Sequence, residues 1–239
     1  MRYDRVNCNP TEKRVPEAST LSPLAGKPGD QTRTALLMAG IRLFGTKGFE
    51  ATSTREIAAE AGANIASIAY HFGGKDGLRL ACAEMVGNRI QDVVGPALRA
   101  IDPGDDPAAA QAAFERVIMG VCDFMLGQIE ARDIASFMVR EMGAPGAVFD
   151  TVYADFILPV HRSLCGLLGL ATGQDPESDL IRIGTFSIAG QVVYFRIGGA
   201  IVAKWMEWNE VGQQEVEAIK AIILGNIRAF IATHRKPVR

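Results

Sequence analysis

Little in this 239-residue chain points to catalysis, to a metal or to a membrane. Its four cysteines, Cys8, Cys82, Cys122 and Cys165, have no metal or redox spacing, so they read as reduced, small core residues of a cytosolic protein. The three histidines, His71, His161 and His234, lie too far apart to suggest a metal site. The most apolar stretch, residues 181–203, is interrupted by Arg182, Gln191 and Arg196, so no uninterrupted run reaches the roughly 20 residues of a membrane-spanning helix. Residues 1–30 lack the apolar core of a signal peptide. There is no nucleophile elbow, phosphate-binding glycine loop, His-Glu metal motif or paired-carboxylate pattern. Gly198-Gly199 follows no strand and is therefore no dinucleotide fingerprint. No window alternates with the period of a strand. These absences predict an all-α protein that is not an enzyme and carries no cofactor.

What is present is helical punctuation. Pro10, Pro16, Pro23 and Pro28, set among polar and charged residues, predict a flexible tail over residues 1–30. Helices are expected from Thr32 to Lys47 and then over 76–100, 108–129, 133–142, 148–170, 179–208 and 213–234, separated by Gly-, Pro- and Asp-rich turns. Formal charge is slightly uneven. Residues 1–80 hold eleven Lys/Arg against eight Asp/Glu, whereas the remainder holds fourteen against nineteen. If the chain binds DNA, the N-terminal third is the part to do it.

Residues 53–75 carry the sharpest signal. Ser53 and Glu56 have capping-box spacing, and Ile57, Ala58 and Ala61 follow as a short apolar stripe before Gly62. A second helix then runs through Asn64 and Phe72. At about 100° per residue, Ile65, Ile68, Ala69 and Phe72 share one side. Ala66, Ser67, Tyr70 and His71 share the other, with Asn64 at its edge, and that side holds no acid. A carboxylate there would repel DNA phosphates, while small and hydrogen-bonding residues suit a helix lying in the major groove. Lys75, at the start of the next helix, is placed to meet a phosphate together with free backbone N–H groups. The pattern is that of a helix-turn-helix over residues 31–76.

Phe44-Gly45-Thr46-Lys47-Gly48-Phe49, Thr52-Ser53-Thr54-Arg55-Glu56-Ile57-Ala58, Gly62 and Tyr70-His71-Phe72-Gly73-Gly74-Lys75 occur in order. Together they resemble the N-terminal domain of TetR/AcrR-type transcriptional regulators. That resemblance implies a three-helix DNA-binding domain, followed over residues 77–239 by a helical ligand-binding and dimerisation domain. It also implies repression at a palindromic operator, relieved by a small molecule. By residue-to-residue correspondence it assigns DNA contacts to Thr54, Arg55, Asn64, Ser67, Tyr70, His71 and Lys75. Ala69 departs from the aromatic usual there in the family, and Gly73-Gly74 stand where Pro or Ser is common.

The C-terminal segments Phe137-Met138-Val139-Arg140-Glu141-Met142, Pro159-Val160-His161-Arg162 and residues 188–196 resemble the CecR-like branch of the same family. The last two helices are apolar on more than one face, from Ile188, Val192, Val193, Phe195, Ile197 and Ile201 to Ile219, Ile222, Ile223, Ile227, Phe230 and Ile231, which fits a two-fold four-helix interface in a homodimer. Polar and aromatic residues within apolar helices suggest a cavity for a hydrophobic effector, with Phe137, Arg140, Tyr153, His161, Gln191, Phe195 and Arg196 as its lining and Phe156, Tyr194 and Trp205 nearby. The competing functions are a helical enzyme or an interaction module that keeps the helix-turn-helix only for packing.

Overall fold

The computed structural model describes residues 28–99, 104, 106–143 and 146–236, and these contain helices and turns but no strand. Most of the tail expected over 1–30 lies outside the described residues. Its last residues already belong to α1 (Pro28–Lys47). Pro28 fits a first helical position, where a missing N–H costs nothing, and Asp30 in the first turn faces the positive end of the helix dipole.

Two short helices follow, α2 (Thr54–Glu60) and α3 (Ala66–Phe72), joined through Gly62 at φ 61°. The capping box forms as its spacing predicts: Glu56 N–H donates to Ser53 Oγ at 3.2 Å, and Ser53 N–H donates to Glu56 Oε2 at 2.8 Å. Lys47 reaches the other oxygen of Glu56 at 2.8 Å, tying the end of α1 to the start of α2. α4 (Lys75–Arg99) begins after Gly73, whose φ of 73° ends α3. Leu36, Leu37, Ile41 and Phe44 of α1 meet Ile57, Ala58, Ile68, Leu78, Cys82 and Val86 in one buried cluster.

That cluster does not close on itself. Phe124 of α5 (Pro107–Gly127) and Ile134 and Phe137 of α6 (Glu130–Gly143) are buried within it. The helices α1 and α6 touch almost backbone to backbone: a Cβ on Gly45 would lie 2.9 Å from the Phe137 nitrogen. The N-terminal unit therefore rests on α6 and shares its core with the larger one.

The rest of the chain forms α7 (Ala147–Val152), a π-helical turn (Tyr153–Ile157), α8 (Leu158–Thr172), α9 (Asp179–Ile197), α10 (Gly199–Trp205) and α11 (Gln213–His234). Of two long helices expected here, one runs unbroken but changes its hydrogen-bond pattern, and the other breaks. The 148–170 helix contains the π-helical turn, which brings the Phe156 ring to 2.3 Å from where a Cβ on Gly87 of α4 would be. The 179–208 helix breaks at Gly198, and α10 leaves α9 at 75°. Two successive glycines, Gly198 and Gly199, favour the break because glycine is the poorest helix former after proline. Val148–Thr172 is long and apolar enough to cross a membrane by length and composition alone, yet Leu164, Leu167, Leu168 and Ala171 spend that apolarity in the core.

Cys82, Cys122 and Cys165 are buried free thiols, and burial pushes the Cys122 pKa up to about 12. Cys8 lies outside the described residues. The apolar residues of α9, α10 and α11 divide between two duties. Ile188, Val192, Ile219, Ile223, Ile227 and Ile231 are core. Ile183, Phe186, Tyr194, Ile197, Ile201 and Ile222 are more than half exposed.

Candidate nucleic-acid interface and effector region

Only Ile68 of α3 is fully buried; Phe72 is half-buried, and Ile65 and Ala69, expected on the packed side, are exposed. Its attachment is therefore narrow but rigid. A Cβ on Gly77 would fall 1.9 Å from the Phe72 carbonyl oxygen, so the end of α3 and the first turn of α4 pack with no side chain between them. Arg33 of α1 lies over the Phe72 ring at 5.4 Å. The opposite surface is free to meet another molecule. Tyr70 is 85% exposed, its ring held edge-on to His71 at 4.9 Å. A tyrosine so exposed contributes little to packing.

Thr54, at the start of α2, and Ser67 and His71 of α3 are half-buried, while Arg55 and Asn64 are exposed. All seven sequence-predicted contact residues lie on α2, α3, the turn before α3 or the first residue of α4. Asn64 is not inside the helix. It precedes α3, and its Oδ1 accepts the Ala66 N–H at 2.9 Å. The amide oxygen thus caps the helix, as Asn does in an Asx turn, leaving the NH₂ group without a protein partner among the described residues. Lys75 Nζ lies 4.2 Å from the centroid of the Phe49 ring.

Sequence reasoning missed a second feature beside Lys75. Arg79, one turn along α4, lies over the same Phe49 ring at 4.7 Å. It donates from Nε and Nη2 to Glu141 of α6 at 2.9 and 2.8 Å. Arg140, the preceding residue of α6, donates to the Gly45 and Thr46 carbonyls at 2.7 and 2.6 Å, supplying the end of α1 with cationic donors. A third link joins Glu60 of α2 to Arg42 at 2.6 Å, and Arg42 to Asp133 of α6 at 3.2 Å. The adjacent charges Arg140-Glu141 were the available signal, since both follow directly on the apolar run Phe137-Met138-Val139. Only the fold reveals that each serves a different N-terminal helix.

The seven residues expected to line an effector cavity do not converge. Phe137 is buried between α6 and α1, and Arg140 is committed to α1. Tyr153 is 42% exposed in the π-helical turn, where it stacks on Phe149. Gln191 accepts from Asn226 of α11 at 2.7 Å, and Phe195 packs against the larger core. Two have side-chain polar groups with no protein partner among the described residues. His161 Nδ1 is buried with no hydrogen-bond partner, its ring stacked 4.2 Å from Phe186, and burial holds its pKa below the ordinary value. Arg196 is half-buried and makes no hydrogen bond or ion pair among the described residues; burial and the nearby Arg132 lower its pKa. A cleft of about 980 Å³ opens instead where the 48–51 loop, α4, the end of α6 and α7 meet, with Phe44, Phe49, Leu80, Arg140 and Val148 in its lining.

The profile of bacterial regulatory proteins of the tetR family matches residues 36–82, spanning most of α1, all of α2 and α3, and the start of α4. That of the HTH-type transcriptional dual regulator CecR, C-terminal domain, matches residues 110–233. The dual regulator CecR of Shigella flexneri is 32% identical over 203 residues, which cover 83% of this chain and 91% of that protein. Among solved structures, a TetR-like transcriptional regulator from Rhodococcus sp. RHA1 superposes with a TM-score of 0.62 at 21% identity, over 84% of this chain and 96% of that one. AibR in complex with isovaleryl coenzyme A and operator DNA gives 0.63 at 18% identity, over 81% and 96%.

Proposed function

The chain belongs to the TetR family of bacterial transcriptional regulators, with a CecR-type C-terminal domain, and on that premise we propose that it is a ligand-responsive repressor that binds a palindromic operator as a homodimer. In this reading α3 enters the major groove. Asn64, Ser67 and His71 face base edges, while Thr54, Arg55, Tyr70 and Lys75 contact the backbone. The observation that carries it is the acid-free, outward side of α3, ending in an 85% exposed Tyr70. The protein acts in the cytoplasm, where its operator is.

Two reading heads require two chains, because a palindrome repeats its half-site. The exposed side of α9 and α11 supports that assembly: Phe186, Tyr194 and Ile222 stand beside Gly190, Gly225 and Ala229, small residues that permit close helix approach.

The effector is a hydrophobic small molecule bound in the C-terminal domain, where His161 and Arg196 offer the polar groups that lack protein partners. Its binding repositions α6, and through Arg42, Arg79 and Arg140 the helices α1 and α4. A neighbour of the same fold, AibR, holds both an acyl thioester of coenzyme A and operator DNA. CecR's designation as a dual regulator supports a second mode, activation, at other promoters.

The test is binding of the purified protein to the DNA flanking its own gene, titrated across salt. Affinity that falls steeply with salt and favours that DNA over random duplex fits the proposal. No preference over random duplex contradicts it. Arg196→Ala should leave DNA affinity intact and blunt release by an effector; loss of DNA binding itself would contradict the pocket assignment.

A further inference from the structure

Lys75 and Arg79 are one turn apart on α4, a spacing at which like charges destabilise a helix. Both converge on Phe49, at 4.2 and 4.7 Å from its ring centroid. The ring is fixed from behind by Phe44, 5.6 Å away and 2% exposed. An aromatic face offers negative potential to cations, so the ring offsets the repulsion between the two and restrains both side chains. Their free ends have different duties. Arg79 is drawn to Glu141 by a bidentate pair, whereas Lys75 has no carboxylate partner among the described residues.

We propose that Phe49 is a positioning residue for DNA binding: its ring holds the Lys75 ammonium ready for a phosphate and shares that grip with Arg79, which ties the ring to α6. The proposal rests on the operator-binding reading above and adds a residue with no polar atom to the machinery of phosphate contact. Restraining a lysine before contact removes part of the side-chain entropy that the contact would otherwise cost. It also makes the contact sensitive to α6. Withdrawing Glu141 leaves Arg79 to compete for the ring, and Lys75 loses its restraint.

The experiment compares the wild type with Phe49→Leu, Phe49→Trp and Lys75→Ala. Affinity for a duplex is measured from low to moderate salt. Phe49→Leu keeps an apolar side chain but removes the ring. It should weaken binding to all sequences about tenfold in the dimer and lower the salt slope by up to about 2, as Lys75→Ala does. Phe49→Trp should restore both, and adding Phe49→Leu to Lys75→Ala should change nothing further. Independently of DNA, the Lys75 ε-methylene protons of the free wild type should resonate upfield, from the ring current of Phe49. Lys75 ε-protons at an unstructured-lysine position overturn the proposal even if Phe49→Leu fails to fold. A normal wild-type slope that Phe49→Leu leaves unchanged overturns it while the operator reading stands. Wild-type binding with no salt dependence overturns both.

Discussion

Arg79 and Glu141 face each other across the seam between α4 and α6 in a two-point ion pair, Nε to Oε1 at 2.9 Å and Nη2 to Oε2 at 2.8 Å. The Glu141 side chain is only 5% exposed and that of Arg79 22%. A planar guanidinium satisfying both carboxylate oxygens fixes orientation as well as distance, so the first turns of α4 follow α6 as one body. The pair lies one turn beyond Lys75 and joins the C-terminal unit to the reading head.

Breaking one side of a partly buried pair leaves the other charge short of solvation. Glu141→Gln should cost about 2–3 kcal/mol, near the lower end for buried pairs because Arg79 keeps some solvent contact. The check is the urea unfolding midpoint, followed on both units. A midpoint unchanged from wild type would mean that the pair contributes no net stability and does not hold the seam.

Asn64 tests whether the cap and the reading of bases are separable. Serine at this position keeps an oxygen able to accept the Ala66 N–H but has no amide to offer adenine. Asn64→Ser should preserve helicity and thermal stability while relaxing preference at one base pair of each half-site, at a cost of about 1–3 kcal/mol for the preferred base. Selection from random duplex reads the outcome directly. An unchanged motif would remove Asn64 from the readers and leave it a capping residue.

Much of this was legible in the sequence. The capping box at Ser53 and Glu56, the turn at Gly62 and the start of α4 after Gly74 all follow from local chemistry, and each forms where its spacing places it. What escaped were consequences of distant packing. Nothing local distinguishes Ile223, which is buried, from Ile222, which is 63% exposed, because both sit on a helix that is apolar on several sides. The break at Gly198 was hidden by apolar residues continuing on both sides of it. Phe137 looked like a pocket residue because its type fits a pocket; only the close approach of α1 at Gly45 shows that α1 occupies its neighbourhood. Arg140, bound to the end of α1, does line the cleft.

Ile222 should be decisive for assembly. It is 63% exposed on α11, among Ala218, Ala221, Gly225 and Ala229, and belongs to no core cluster. Ile222→Lys should leave the monomer folded and raise the dimer dissociation constant at least tenfold, since each two-fold interface receives the buried charge twice. Sedimentation velocity over a concentration series measures this. A variant that sediments like wild type would place the interface elsewhere.

Acid should weaken the protein in two separate windows. Burial favours neutral His161, so the unfolded chain takes up its proton first, near pH 6.5, and stability falls as the pH drops from there toward the lower folded value. His161→Phe should flatten that part of the profile. Glu56 acts lower. Its bond to Lys47, and then those to Ser53, push its pKa down to about 2, so its contribution is present above about pH 4.5 and is lost as the pH falls toward 2. Unfolding midpoints between pH 8 and pH 5 isolate the first effect. If wild type and His161→Phe run parallel, the histidine is not buried neutral.

Operator recognition by two copies of α3 is tested most directly by selecting duplexes from a random pool with the purified protein and aligning the survivors. The expected result is an inverted repeat whose half-site centres lie on one face of the helix, about one turn or a multiple apart, bound by two chains and lost on Tyr70→Ala with Lys75→Ala. Enrichment of a single, non-repeated motif, or of no motif at all, would contradict it.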